Sequence, residues 1–429
     1  STSKSAMSTS ALSMGVDDAR RSSSSSAESS CASDGSTEGL QPAHCGGVVG
    51  ARYRIQGRLG RGSYASVWLC HDLLGGKEVA VKAYRAGEQC RKQGFVEAKF
   101  LEATVAARKT WLPEEGVVAM LDHFLQDASS SSHACLVLEV MGPSVYELGR
   151  RCRGDKLPHG IVLAIARDTL QGLDFLHRGC QIIHGDVKPE NILLTRLGGA
   201  ARPQQGHKRA RIAPPSCARR RRLTSQEVLF GTSGLPPRFG LADLGAACFV
   251  DRKDTHNIQT REYKAPEVLL RAGCGCAADL WALACTLFES ATGRYLLDPR
   301  RAHARPQRLQ LADAAIQAMA PYVPRGTGAL SLDEEHLAQV VELTGYLPDA
   351  LLRCGRLTSL YLVKRPFTGW VLRQANLALV SLARCNLQTR LEEHLESVTE
   401  VAKLDNLLEP MLRPEPDARP SAQELLQNR

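Results

Sequence analysis

Apolar and polar positions alternate along residues 53 to 59, LGRGSYASVWLC sets apolar positions on either side of its glycines, and KEVAVKAY centres on the apolar run Val79, Ala80 and Val81. These patterns, in segments rich in β-branched and aromatic residues, predict strands, and Gly60 and Gly62 predict a turn between the first two. An antiparallel meander is the expected product. From Phe95 to Arg108 the apolar residues recur at three- and four-residue spacing and predict a helix. HACLVLEV, at 133 to 140, reads as a buried strand, and IVLAIARDTLQGLDFLH, at 161 to 177, as a long helix. A sheet-rich part followed by a mainly helical part is an α+β architecture.

Two segments break this pattern. Residues 1 to 50 contain runs such as RRSSSSSAESS with few large apolar side chains, too little to offset the entropy of ordering, so a disordered Ser-rich tail is expected. Between about 195 and 237 lies GHKRARIAPPSCARRRR, in a stretch without Asp or Glu from Asn191 to Glu227. A structureless loop of that length is uncommon inside a compact domain, so it is expected to loop out as a basic, disordered spacer.

Bulk properties narrow the class. A chain of 429 residues with 43% hydrophobic content can bury a large core. The 14 Cys lack paired spacing apart from Cys274 and Cys276, which fits reduced thiols better than a disulfide framework or a zinc module. No signal-peptide core and no apolar run long enough for a bilayer are present, so a soluble, intracellular protein is expected, with no membrane partner. The net charge of +9 resides largely in the one basic tract, and direct nucleic-acid binding is not expected from it.

The candidate chemistry maps onto this frame. Gly60 and Gly62 can let backbone N–H groups approach a phosphate without a Cβ in the way, although a plain hairpin also explains them. Lys82 lies 20 positions beyond Gly62 among Val79, Ala80 and Val81, so its ammonium needs an anion or must snorkel. Glu97 is the candidate carboxylate and Glu102 its rival. In IIHGDVKPENILL, Asp186 suits a proton acceptor, Lys188 a cation near a moving phosphate, and Asn191 a magnesium ligand. Asp243, in LADLGAA, supplies a second magnesium ligand before a glycine turn.

In that order the motifs resemble those of the eukaryotic protein kinases, over residues 53 to 428. The resemblance implies a two-lobed kinase fold, with an N-lobe over 51 to 141 and a C-lobe over 142 to 429. It implies ATP and Mg2+ as cofactors. ATP would lie between the glycine turn (Leu59, Gly60, Arg61, Gly62 and Ser63), the hinge from Glu139 to Met141, and Val67 and Ala80 against the adenine, with Leu138 as gatekeeper.

Within that family the chain is most similar to the SR-protein kinases of the CMGC group, through RLGRGSYASVWLCHD, QGLDFLHRGCQIIHGDVKPENILL, NIQTREYKAPEVLL and DEEHLAQVVELTG. That group also carries a spacer between its two halves, and a further insertion is expected here at about 299 to 330. The similarity implies a serine/threonine kinase for arginine/serine-rich proteins, acting as a monomer. It places Glu335 and Glu342 in a substrate groove, Lys264 at the subsite after the target serine, and Thr260 on Asp186 and Lys188. Lys264 stands where related kinases carry arginine. Gly185 stands where many kinases carry an arginine that pairs with a phosphate on the activation segment. Only Thr255, Thr260 and Tyr263 could accept phosphate between Asp243 and Glu267, so an enzyme active as synthesised is expected. KRAR and RRRR read as a two-part signal for a nuclear import receptor, hence a cytoplasmic and nuclear location. The alternatives are a dual-specificity CMGC kinase that autophosphorylates Tyr263, a pseudokinase scaffold, and a basic RNA-associated protein.

Overall fold

The computed structural model describes residues 46–111, 116–128, 131–196, 237–251, 258–301, 330–366, 369–373, 377–379, 382 and 384–427. Most of the expected tail, spacer and insertion lie outside these residues.

The N-terminal part is a six-stranded sheet formed by β1 (Val48–Val49), β2 (Tyr53–Arg61), β3 (Ala65–Asp72), β4 (Glu78–Tyr84), β5 (Met120–Ala128) and β6 (Ser131–Leu138), in the order β1-β2-β3-β4-β6-β5. Every pairing is antiparallel. Alternation sorts β4 cleanly. Val79, Val81 and Ala83 join a small core on one face, with Tyr53, Ile55 and Cys70. Ala80 and Tyr84 face the main core of the molecule, and Lys82 shares their parity.

Helix α1 (Glu88–Ala107) crosses the sheet on the main-core side and buries Gly94, Glu97, Ala98, Phe100, Leu101 and Thr104. It begins seven residues before the Phe95 expected from periodicity, because the first turns are polar and have no apolar stripe to read. β5 carried no clear signal either. It is an edge strand whose Leu121 and Leu125 stand exposed.

The helical part is built around α5 (Ala277–Thr292), in which every residue from Ala278 to Thr292 is buried. A helix apolar nearly all round belongs at the centre of a core. α2 (Val145–Gly149) opens this part, and α3 (His159–Asp174) runs into a widened turn over Phe175–Gly179. α4 (Pro266–Leu270) and α6 (Leu332–Thr344), with helices over Val398–Leu408 and Ala422–Gln427, complete the packing. Two small ribbons carry the chemistry: β7 (Ile182–Ile183) with β10 (Cys248–Phe249), and β8 (Ile192–Arg196) with β9 (Arg238–Leu241). Among the described residues no helix is long and apolar enough to cross a membrane.

Candidate active site

β4 delivers Lys82 to the cleft between the two parts. Its Nζ lies 2.9 Å from Glu97 Oε1 and 2.9 Å from Asp243 Oδ1, so one ammonium ties the sheet, α1 and the turn after β9 together. Glu97 is therefore the carboxylate partner; Glu102 lies instead near the ring of His123, at 3.7 Å. Burial pushes the Glu97 carboxyl up, against the pull of Lys82. Burial also penalises the Lys82 ammonium, but the carboxylates of Asp243 and Glu97 outweigh it and hold the amine well above its usual range. Asp243 feels the same opposition, and Lys82 brings its carboxyl down to about 2.

The glycine turn sits above. Gly62 N donates to Ala65 O at 2.8 Å, and the Arg85 guanidinium donates to Gly62 O at 3.0 Å. Leu59, Gly60 and Arg61 end β2 and Gly62 and Ser63 lead into β3; all are exposed but Gly60, which is half-buried. Neither Gly60 nor Gly62 has a positive φ. A Cβ would meet nothing within 4 Å at Gly60 and only Ala65 O, at 3.5 Å, at Gly62. The hairpin itself therefore does not require glycine there, and the open space leaves room for a ligand's phosphates.

Behind the turn, Val67 pairs with Lys82 and Ala80 with Leu138. Leu138, 9% exposed, packs in the main core at the back of the cleft. Glu139 turns its carboxylate onto the amide of Ala119 at 2.8 Å and donates its own amide to Ala119 O at 3.0 Å, so of this residue the backbone carbonyl is what remains for a nucleotide. Met141 packs on the core, and Gly142 N donates to Leu194 O at 2.7 Å. A Cβ at Gly142 would lie 3.0 Å from that carbonyl, which explains the glycine at this crossing.

The loop after β7 holds the polar triad. Asp186 accepts from Thr260 Oγ1 at 2.7 Å and from Thr260 N at 3.1 Å. Lys188 Nζ reaches Asp186 Oδ2 at 2.6 Å and Thr260 Oγ1 at 2.9 Å, and Asn191 Nδ2 donates to Asp186 O at 2.8 Å. Asp279 fixes the loop from α5. Its carboxylate accepts from His184 N at 2.8 Å and Gly185 N at 2.9 Å, and contacts His177 Nε2 at 2.9 Å. Asp243 stands opposite in a left-handed conformation, φ 67°. Lys82 and Gly245 N both engage its Oδ1, which leaves Oδ2 for another ligand.

The expected substrate residues divide. Lys264 follows a single turn over Arg261–Tyr263, near Asp333 and Asp186. Burial, and then the charge of Arg261, lowers its amine. Glu335 and Glu342 do not line an open groove. They are 5% and 4% exposed, on a helix that buries every residue from Glu334 to Leu343. Gln339 donates to Glu335 Oε1 at 3.0 Å, and Arg390 stands 3.9 Å from Glu342 Oε2. The acid that reaches the Lys264 corner is Asp333, which pairs with Arg261 and accepts from Tyr361 OH at 2.8 Å. A single sequence gives Arg261 no reason to find Asp333 across 72 positions.

Three further residues carry no signal in the sequence. Gln259 lies in a left-handed conformation, φ 67°, donates its side-chain amide to Ala278 O at 2.7 Å and accepts from Ala265 N at 2.9 Å. Tyr84 OH donates to Glu97, and Gln93 of α1 donates to Gly245 O. Thr255 and the basic tract lie outside the described residues.

The protein kinase domain model matches residues 53–429. The chain is 28% identical over 413 residues to the serine/threonine-protein kinase SRPK of Physarum polycephalum, covering 91% of this chain and 88% of that protein. It is 26% identical to protein kinase dsk1 of Schizosaccharomyces pombe, over 71% of this chain and 68% of that one. Against human SRSF protein kinase 3 the identity is 25%, over 91% and 88%. The chain belongs to the protein kinase family, and within it groups with the SR-protein kinases as a serine/threonine-protein kinase.

Proposed function

We propose that this kinase transfers the γ-phosphate of ATP to serines in arginine/serine-rich proteins such as splicing factors, and that it needs no prior phosphorylation to do so. The observation that carries the reading is the joining of Lys82 to both Glu97 and Asp243 while Asp186, Lys188 and Thr260 stand assembled across the cleft. Phosphoryl transfer depends almost wholly on such positioning and charge. Asp186 would take the proton of the incoming serine hydroxyl, and Lys188 would face the phosphoryl oxygens as charge moves onto them. Lys82, held by Glu97, would bind the phosphates behind the one transferred.

Magnesium fits the oxygen donors of Asn191 and Asp243. Among the described residues no cluster of three His, Cys, Asp or Glu side chains forms a self-sufficient metal site, so a bound ion would take the rest of its shell from phosphate and water. It would neutralise developing charge between the nucleotide's phosphates.

Activity without a phosphate is supported by Gly185 and Gln259. Gln259 N donates to Gly185 O at 2.6 Å and the Gln259 side chain clips α5, so the segment carrying Thr260 is anchored by neutral hydrogen bonds. The arginine/serine-rich substrate class rests on the relatives' names and on the Lys264–Asp333 corner beside Asp186. KRAR and RRRR would carry the enzyme to an import receptor, giving cytoplasmic and nuclear pools; deletion of residues 202 to 222 without any change in location would remove that element.

Autophosphorylation on Tyr263 is disfavoured, because that ring is 3% exposed and its hydroxyl donates to Glu289 Oε2 at 2.5 Å. The deciding experiment is transfer of labelled phosphate from ATP to an arginine-serine repeat peptide. Asp186→Asn should lower kcat about 10²- to 10⁴-fold. Labelling of a proline-directed peptide in place of the repeat would overturn the substrate assignment.

A further inference from the structure

The end of β4 closes over Glu97. Tyr84 lies two residues beyond Lys82, so both side chains leave the strand on the same face. The Lys82 Nζ stands 5.5 Å from the centroid of the Tyr84 ring. The Tyr84 hydroxyl donates to Glu97 Oε2, an oxygen it shares with Lys82, whose Nζ straddles the carboxylate at 2.8 Å from Oε2 and 2.9 Å from Oε1. Both carboxylate oxygens of a side chain only 1% exposed are thereby engaged. Burial pushes the Tyr84 phenol far above its usual range, so it remains a neutral donor at any working pH.

The helix is shaped to receive this ring. Gly94, one turn before Glu97 on α1, has no side chain at the point where Tyr84 packs; a Cβ there would lie 2.9 Å from Tyr84 Cδ2 and 2.6 Å from Ala134 Cβ. The main chain at Tyr84 is fixed as well, since its carbonyl meets the buried His133 Nδ1 at 2.8 Å. The next residue, Arg85, donates its backbone N–H to Tyr64 O at 2.8 Å and its guanidinium to Gly62 O. One strand end therefore fixes both α1 and the glycine turn. A second link lies one turn away, where Gln93 donates its side-chain amide to Gly245 O, two residues beyond Asp243.

We propose that Tyr84 and Gln93 are positioning residues that latch α1 to the sheet and to the Asp243–Gly245 turn. They keep Glu97 on Lys82 before any nucleotide arrives and without a charged group on the activation segment. The inference rests on the kinase reading above. The latch uses neutral donors. A cation in place of Tyr84 would compete with Lys82 for Glu97, whereas a phenol completes the carboxylate's shell and leaves the ammonium for phosphate.

The test combines Tyr84→Phe, which keeps the packed ring and removes only the hydroxyl, with Gln93→Ala and the double variant. Loss of a hydrogen bond to a buried carboxylate is expected to raise KM for ATP by about tenfold in Tyr84→Phe, with KM for the peptide unchanged. A merely structural defect would not produce that split. In a Glu97→Gln background the same change should cost at most about twofold, because the carboxylate it serves is gone. Hydrogen exchange of the amides in 88 to 107, measured on the nucleotide-free full chain, should be faster in both single variants and fastest in the double. Wild-type KM for ATP and wild-type exchange in Tyr84→Phe would overturn the latch. If the unaltered chain transfers no phosphate, the kinase reading fails instead, and the exchange rates still decide whether the latch exists.

Discussion

The backbone carbonyl of Gly185 accepts a 2.6 Å hydrogen bond from the amide of Gln259, joining the catalytic loop directly to the activation segment. Gln259 adopts φ 67°, a conformation that costs a side-chain-bearing residue about 1–3 kcal/mol unless its surroundings fix it. Its bonds to Ala278 O and Ala265 N do so. Phosphatase-treated protein, verified as unphosphorylated by mass spectrometry, should keep its kcat. Gln259→Ala should lower kcat by about tenfold, since it retains the strained backbone and loses a buried polar clip. Gln259→Gly should fall between the two, because glycine accepts the left-handed backbone. Loss of activity on phosphatase treatment would sink this picture.

Gly185 cannot simply be restored to arginine. Its φ is +76°, and an added Cβ would lie 2.5 Å from Ala246 O, a backbone atom that no rotamer change can move. Gly185→Arg is therefore expected to lower Tm and cut kcat by at least about tenfold, and not to create a phosphate-dependent enzyme. Thermal unfolding followed by circular dichroism, with kinetics before and after phosphorylation by an activating kinase, checks both halves.

Much of the site was legible because its chemistry fixes residue types at short spacing. Asp186, Lys188 and Asn191 lie within six positions, and Lys82 announces itself as a lone charge in a β-branched strand. The misread residues depend on distant partners. Glu335 and Glu342 look like an acidic surface because charge usually means exposure, yet α6 is buried from Glu334 to Leu343 and meets Arg390 from elsewhere in the chain. Tyr84 reads as ordinary core, since nothing local shows that its hydroxyl meets a carboxylate 13 positions on, in another element. The start of α1 was hidden for the opposite reason: its first turns are polar and bury almost nothing.

His177 and Asp279 make stability depend on pH on the alkaline side. Burial opposes the imidazolium, but the 2.9 Å bond to Asp279 outweighs it and raises the ring to about 9 from its usual 6.5. A raised folded-state value means that the stabilisation is fully present below pH 6.5 and is lost as pH rises through 9. The loss should amount to at most about 3.5 kcal/mol, because each tenfold gain in the ring's proton affinity is worth about 1.4 kcal/mol. Urea unfolding at a series of pH values should show this decline, and His177→Gln should flatten it. A wild-type curve already flat between pH 6.5 and 9 would show that the pair does not carry a proton.

Arg419 reaches across from the far end of the kinase domain to hold Glu267, the last residue of the activation segment. The pair is bidentate, at 2.6 and 2.9 Å, with side chains 0% and 3% exposed, and the guanidinium lies 5.0 Å from the centroid of the Trp281 ring. Two charges removed from water gain little net stability from meeting, but either one left alone is costly. Arg419→Ala should therefore destabilise the protein by about 3–5 kcal/mol. Arg419→Lys should recover only part of this, because an ammonium cannot supply the planar fork or lie flat on the indole. Replacing both partners, as Arg419→Met with Glu267→Leu, should unfold later than either single variant, since no lone charge then remains in the core. Denaturant midpoints for the four proteins test this ordering, and a double variant no better than the worse single one would show that the pair contributes through geometry rather than charge.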